Sequence, residues 1–295
     1  MRSGIEEATI SENVDAPLAN REIKDGVFRL LFGKPENAAE LYHALTGIEC
    51  RPDEIQIITI TTTISGKQKN DLAFVVRSKA LVVGEHMSSP YANMPVRLLM
   101  YTGQLYEKWI KMKDEEKFLY RSTLYKVPTP EFVVFYNGAD EKPEKEILRL
   151  SDAFETNPDG NLGCLKLEVP VYNINKGMNK ELFDKSGKLA QYAEFIAKVR
   201  ELNKLYDNYT QAVREAANYC ITNGILADFL REQGGKIVSI LAAEYDVEVA
   251  KRVYAEERAE DIAKNALRKG FSLADIVSIT GLDEATVKQL QTELG

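Results

Sequence analysis

Apolar positions along this chain keep two different periods, and each change of period marks a change of element. Alternation near period two predicts strands, because successive side chains of a strand point to opposite faces. The run "EIQIITITTTI" (54–64) is β-branched and partly alternating, and reads as a strand. "NDLAFVVRSKALVVGEHM" (70–87) predicts two strands joined by a tight turn at 77–80. In "PTPEFVVFYNGADEKPEK" a strand over 131–136 runs into a turn at Asn137 and Gly138. "GCLKLEVPVYNIN" (163–175) predicts a strand pair, or one long strand interrupted at Pro170.

Spacing near 3.6 predicts helices elsewhere. Val27, Leu30, Leu31, Leu41 and Leu45 fit two helices broken around 33–35, with Gly47 as the C-terminal stop. "ANMPVRLLMYTGQLYEKWIKMK" is the strongest helix. Pro95 suits its first turn, and Met94, Leu98, Tyr101, Leu105, Trp109 and Met112 form one apolar stripe. From Lys188 onward the pattern is helical, with Gly234 and Gly235 as the clearest boundary. A charged helical stretch (236–268) and two short helices around Thr280 and Gly281 follow. Residues 1–20 carry Glu6, Glu7, Glu12 and Asp15 without a period and read as a loose arm. The expected organisation is therefore a flexible arm (1–20), an α/β domain with a mixed sheet flanked by helices (21–233), and a helical tail (234–295).

Composition narrows the classes. A chain of 295 residues, 44% hydrophobic, buries a full core. No apolar run is long enough to cross a bilayer, so no membrane is expected, and the acidic N-terminal stretch has no signal-peptide pattern. Cys50, Cys164 and Cys220 are odd in number and scattered. That spacing supplies neither a disulfide framework nor a structural zinc site, and fits a reducing cytoplasm with the thiols as small buried hydrophobes. The net charge of −7 counts against coating nucleic acid by bulk charge, so any DNA contact must come from a local basic cluster.

Candidate chemistry concentrates around 71–87. Glu85 and Met87 are two apart on one strand and share a face. Asp71 opens the preceding strand, on the face of Ala73 and Val75. Antiparallel pairing about the turn brings Asp71 close to opposite Glu85 or Met87, so that two carboxylates meet at a sheet end. Like charges that close take up a proton or a divalent cation between them. Mg²⁺ (or Mn²⁺) matches carboxylate oxygens and leaves positions for a phosphate oxygen and a water. The plain alternative is a turn-capping Asp and a Glu in a surface ion pair. His86 points to the opposite face and reads as structural.

Several segments, "KDGVFRLLFGKPENAAELYHALTG", "NDLAFVV", "EHMSSPYANMPVRLLMYTGQLYEKW", "PTPEFVVFYNG" with "LRLSDAF", and "NYCITNGILADFL", resemble in order and number the Rpn-like recombination-promoting nuclease and transposase family. That family belongs to the PD-(D/E)XK nuclease superfamily, and the similarity runs over about 21–231. The resemblance implies a restriction-endonuclease-like fold and Mg²⁺-dependent cleavage of DNA. It implies Asp71 and Glu85 as the metal-binding acids, and Met87 at the motif's final polar position, where relatives carry Gln ("EHQS") and the wider superfamily Lys. It further implies Asp25 as an acidic or structural position near the site, with Arg97 and Tyr101, one helical turn apart, flanking the pocket. Met87 is the departure: a thioether is soft, donates no hydrogen bond, and does not orient water on a hard cation. Impaired catalysis, or rescue by a migrated Lys67 or Lys69, follows as the alternative expectation.

Two further features bear on partners. Lys108, Lys111, Lys113, Lys117, Arg121 and Lys126 interleave with Trp109, Tyr120 and Tyr125. They form either a phosphate-contacting surface or a solvated face with lysine stems over aromatics. Lys176, Lys180, Lys185 and Lys188 form a looser group. The tail "SLADIVSITGLDEATVKQLQ" has helix-turn-helix spacing, with Ser272 and Asp283 as caps and Gly281 in the turn. Thr286, Lys288, Gln289 and Gln291 share its second helix with Glu284, an acidic mix that favours a docking or homo-oligomerising hairpin over a groove reader.

Overall fold

A computed structural model describes residues 26–58, 72–88, 92–155, 164–206 and 208–294. The chain divides into two compact units, one spanning Asp25–Leu241 and another to which Ala242–Gly295 belongs.

Among the described residues the first unit is a mixed six-stranded sheet with helices on both faces. Its strands are β1 (Ile55–Ile57), β2 (Leu72–Val76), β3 (Ala80–Met87), β4 (Thr129–Tyr136), β5 (Lys145–Arg149) and β6 (Glu168–Asn173), in the spatial order β1-β2-β3-β4-β6-β5. β1, β2 and β3 form an antiparallel meander in which Leu72 lies opposite Gly84 and Val76 opposite Ala80. β3 and β4 are parallel, from Ala80 beside Thr129 to Met87 beside Tyr136, and β4 continues parallel to β6. Parallel neighbours need a crossover. The helix α3 (Met94–Met112) supplies it between β3 and β4.

Period-two alternation distributes the strands between two cores. Ala73, Val75, Leu81, Val83, Val134, Tyr136, Val169 and Val171 pack under α3 against Leu98, Tyr101, Leu105 and Trp109. Phe74, Val76, Val82, Val133 and Phe135 face the other way. There they meet helices α1 (Val27–Phe32), α2 (Pro35–Thr46), α4 (Lys180–Lys185), α5 (Gly187–Asn203), α6 (Tyr209–Thr222) and the start of α7 (Ala227–Arg268). The break between α1 and α2 falls at Gly33, and Gly47 ends α2 in the left-handed region at φ 73°, where the missing Cβ removes the steric penalty.

The β2–β3 reversal is tight although it lacks a glycine. Arg77 and Ser78 both take positive φ, 51° and 56°, and Lys79 N–H donates to the Val76 carbonyl at 2.9 Å. Arg77 is held there by its guanidinium, which donates to Glu54 at 2.8 Å and to the Glu49 carbonyl at 3.0 Å. Those hydrogen bonds, first from Arg77 and then from the Arg51 backbone, pull the Glu54 carboxyl down to about 2.

Four expectations need correction, and one strand, β5, had none. Gly234 and Gly235 do not break the chain; they lie inside α7, where Ile237, Ile240 and Leu241 are buried in the core of the first unit. That burial outweighs the helix-weakening cost of about 1 kcal/mol per glycine. Asn137 and Gly138 do not turn a hairpin, because β4 is flanked by the parallel strands β3 and β6, while β5 sits at the far edge. Pro170 does not split 163–175: one strand, β6, contains it, and pairing with β4 begins only at Val171. β5 gave no clear signal, since its burial alternates between exposed and intermediate. Met112 ends the apolar stripe exposed, beyond the sheet that covers the rest. Of the run 54–64, the described strand is Ile55–Ile57, and residues from 59 lie outside the described set.

The second unit carries the expected helical pair. The helix α8 (Leu273–Thr280) starts where Ser272 Oγ accepts from Asp275 N–H at 3.2 Å, and ends at Gly281 with φ 70°. The helix α9 (Glu284–Leu294) starts where Asp283 accepts from Thr286 N–H at 2.8 Å. Ala263 of α7, Ile276, Val287 and Leu290 form their shared core.

Candidate functional site

The carboxyl end of β3 delivers Glu85 and Met87 to the α3 face and His86 to the other, as alternation requires. Glu85 is 1% exposed, a burial that a carboxylate tolerates only with charge-assisted partners. Arg97, one turn into α3, supplies one: its Nη2 donates to Glu85 Oε2 at 3.1 Å. The Tyr101 hydroxyl accepts from Arg97 Nε at 3.2 Å and Nη2 at 3.0 Å, which fixes the guanidinium plane. Arg97 Nη1 approaches Met94 Sδ at 3.1 Å and Met87 Sδ at 3.9 Å.

Four of the six residues singled out in the sequence, Glu85, Met87, Arg97 and Tyr101, thus converge. Asp71 and Asp25 lie outside the described residues, as do Lys67 and Lys69. The described β2–β3 ladder ends at Leu72 opposite Gly84, each one residue short of the two acids. Met94 was read only as part of the apolar stripe. Its position in the first turn of α3, with Arg97 three residues on, was the available signal for a contact.

Among the described residues no group of three or more His, Cys, Asp and Glu side chains converges to hold a metal ion. Arg97 brings its guanidinium to Glu85, and the Tyr101 phenol and the Met87 and Met94 thioethers lie against that guanidinium. Only the carboxylate and the phenol carry the hard oxygen that Mg²⁺ prefers.

The opposite face at the same strand end carries a separate network. His86 Nε2 lies 3.0 Å from the Tyr192 hydroxyl, and its ring stacks on Phe28 at 5.1 Å. Burial first, and the nearby Arg200 charge second, push the His86 imidazole down to about 4, which keeps it neutral at pH 7. Arg200 of α5 bridges the two strand-end loops, donating to the Asn137 carbonyl, to Asn137 Oδ1 at 2.6 Å and to Asn175 Oδ1 at 2.7 Å. The sequence reading did not find Arg200, whose partners come together only when β4 and β6 pair.

The basic cluster is not part of the Glu85 site. Lys113 lies 16 residues beyond Arg97 on and after α3, roughly 24 Å along the axis. Trp109 and Tyr125 are not free to stack, being buried and half-buried, whereas Tyr120 is 90% exposed. Of the cysteines, only Cys220 behaves as a buried hydrophobe, its thiol pushed up to about 11 by burial; Cys50 is half-buried and Cys164 exposed. No helix among the described residues is long and apolar enough to cross a membrane.

Comparison with protein-family models, curated proteins and solved structures yields no match.

Proposed function

We propose that this chain is a metal-dependent DNA endonuclease, a phosphodiester hydrolase of the Rpn-like recombination-promoting type. The observation that supports the reading most is the Glu85 carboxylate, held almost wholly out of solvent where β3 ends and braced by Arg97 and Tyr101 of the crossover helix. A structural ion pair has no need of a sheet terminus, a fixed guanidinium plane and the residues of the "EHM" motif together. In this reading Asp71 and Glu85 would hold Mg²⁺ or Mn²⁺, which would polarise the phosphate and activate a water.

The protein's own groups do the rest. Arg97, fixed on two sides, presents a permanent cation beside the scissile phosphate, and its bond to Glu85 keeps that carboxylate oriented. Met87 contributes no donor where relatives of the resembled family carry Gln, which lowers turnover by on the order of a hundredfold.

A second reading has its own support: a weakened, nuclease-derived DNA-binding or regulatory protein. Arg97, itself packed against the thioethers of Met87 and Met94, is paired with Glu85 and competes with a cation for that carboxylate. Plasmid incubated with Mg²⁺ or Mn²⁺ separates the two. The endonuclease reading expects nicking that disappears in Asp71→Ala and rises strongly in Met87→Gln. Wild-type cutting absent or equal to the Asp71→Ala control, with recovery in Met87→Gln, establishes the second reading. No cutting in either, and no salt-dependent DNA binding, refutes both.

The cytoplasm suits the unpaired thiols. The tail hairpin, with Phe271 and Ile279 50% and 61% exposed, suits association with a second copy better than groove reading.

A further inference from the structure

Between α3 and β4 the chain makes an excursion over 113–128 in which most side chains are exposed, while Glu115, Phe118 and Tyr125 are half-buried and Pro128 is buried. Tyr120 is 90% exposed and Leu124 86%, and Leu119 at 53% adds a third large apolar group to the same short stretch, a grouping more informative than a single exposed side chain. Around them stand Lys113, Lys117, Arg121 and Lys126, none of which is ion-paired among the described residues, in contrast to Lys111, whose ammonium lies 2.5 Å from Glu107. Three of the cations lie over rings: Arg121 at 3.9 Å and Lys117 at 5.8 Å over Phe118, and Lys113 at 4.0 Å over Trp109. Stacking fixes each head group while leaving its N–H donors directed to solvent. The segment's acids are Asp114, Glu115 and Glu116, of which Glu115 accepts from the Tyr125 hydroxyl at 2.6 Å.

We propose that this excursion is a binding surface for single-stranded nucleic acid. Unpaired cations beside a solvent-exposed ring are what a flexible polyanion with splayed bases requires. The cations attract the phosphates, Tyr120 offers a π-face to one base, and Leu124 an apolar contact to the next. A duplex hides its base faces and would leave both side chains uncovered. In a chain of net charge −7, a cationic surface is also selective for polyanions. The surface lies roughly 24 Å along α3 from Arg97 and does not depend on the proposed cutting chemistry.

The test is fluorescence anisotropy of a labelled oligodeoxythymidylate and of a duplex of the same length. Binding is read in EDTA with the full chain, so that loss of cutting has no bearing on it. The wild type is expected to bind the single strand more tightly than the duplex, with affinity falling as salt rises. Tyr120→Ala with Leu124→Ala should weaken single-strand binding about tenfold or more. Lys117→Glu with Arg121→Glu should weaken it further and flatten the salt dependence. All four sites are on the surface, and circular dichroism checks that each variant is folded. The proposal is overturned if duplex and single strand bind alike, or if either double variant leaves the oligonucleotide affinity unchanged. It is equally overturned if anionic vesicles are bound where the oligonucleotide is not, or if the exposed residues prove to mediate self-association in sedimentation.

Discussion

Replacing Arg97 by Met tests the physical basis of the candidate site directly. The change removes the guanidinium 3.1 Å from a carboxylate whose side chain is 2% exposed, while keeping an unbranched apolar stem of similar reach. Two unit charges at that separation attract by about 5 kcal/mol at an effective dielectric of 20 and by about 1 kcal/mol in bulk water. The arginine side chain is 26% exposed, which moves the value below the upper figure. Removing the cation leaves part of the buried carboxylate's desolvation cost uncompensated, and breaking a buried pair typically costs about 3–5 kcal/mol. A loss of roughly 2–4 kcal/mol is therefore expected. The chain's one tryptophan, Trp109, is buried on α3 within the same unit as the pair, so its fluorescence in a urea titration reports that unit and not the tail. Glu85→Gln combined with Arg97→Met should recover a large part of the loss, because the neutral amide no longer needs a cation. The reasoning is refuted if Arg97→Met alone costs less than about 1 kcal/mol, or if the double-variant cycle shows no coupling.

Three other outcomes are expected. His86 is held neutral with its imidazole lowered from 6.5 to about 4, so between those values the unfolded chain binds the extra proton and stability rises with pH. Against His86→Gln, the wild type should lose on the order of 2–3 kcal/mol more between pH 7 and pH 4 in chemical denaturation; parallel pH profiles contradict this. A Cβ on Gly138 would come within 2.6 Å of the Ser88 carbonyl and closer still to the Tyr136 hydroxyl. Gly138→Ala should accordingly cost about 1–3 kcal/mol in thermal melting, and an unchanged midpoint refutes the close approach. In the tail, Asp283→Ala removes the oxygen that accepts from Thr286 N–H at 2.8 Å. It should destabilise that hairpin by about 1 kcal/mol, visible as faster amide exchange in α9 with no change around Trp109.

The sequence by itself determined whatever depends on neighbours within a turn of helix or a step of strand. Alternation put Glu85 and Met87 on one face and His86 on the other, and Pro95 and Gly47 placed the ends of two helices. Ser272, Gly281 and Asp283 were readable as caps and turn because a cap is a bond between residues about three apart. Tertiary structure decided what depends on which segments meet. Asn137 and Gly138 carry a hairpin's local signal, yet β4 buries both faces between parallel neighbours, so the chain leaves the sheet there and Arg200 ties down the loop. Gly234 and Gly235 weaken a helix locally, and the burial of Ile237, Ile240 and Leu241 keeps it. The partner of Arg97 across the sheet–helix interface, and the distance of the lysine cluster from Glu85, likewise came only from packing. Local periodicity fixes the direction in which a side chain points, whereas the group that it meets is set by the burial of apolar faces from segments far apart in the chain.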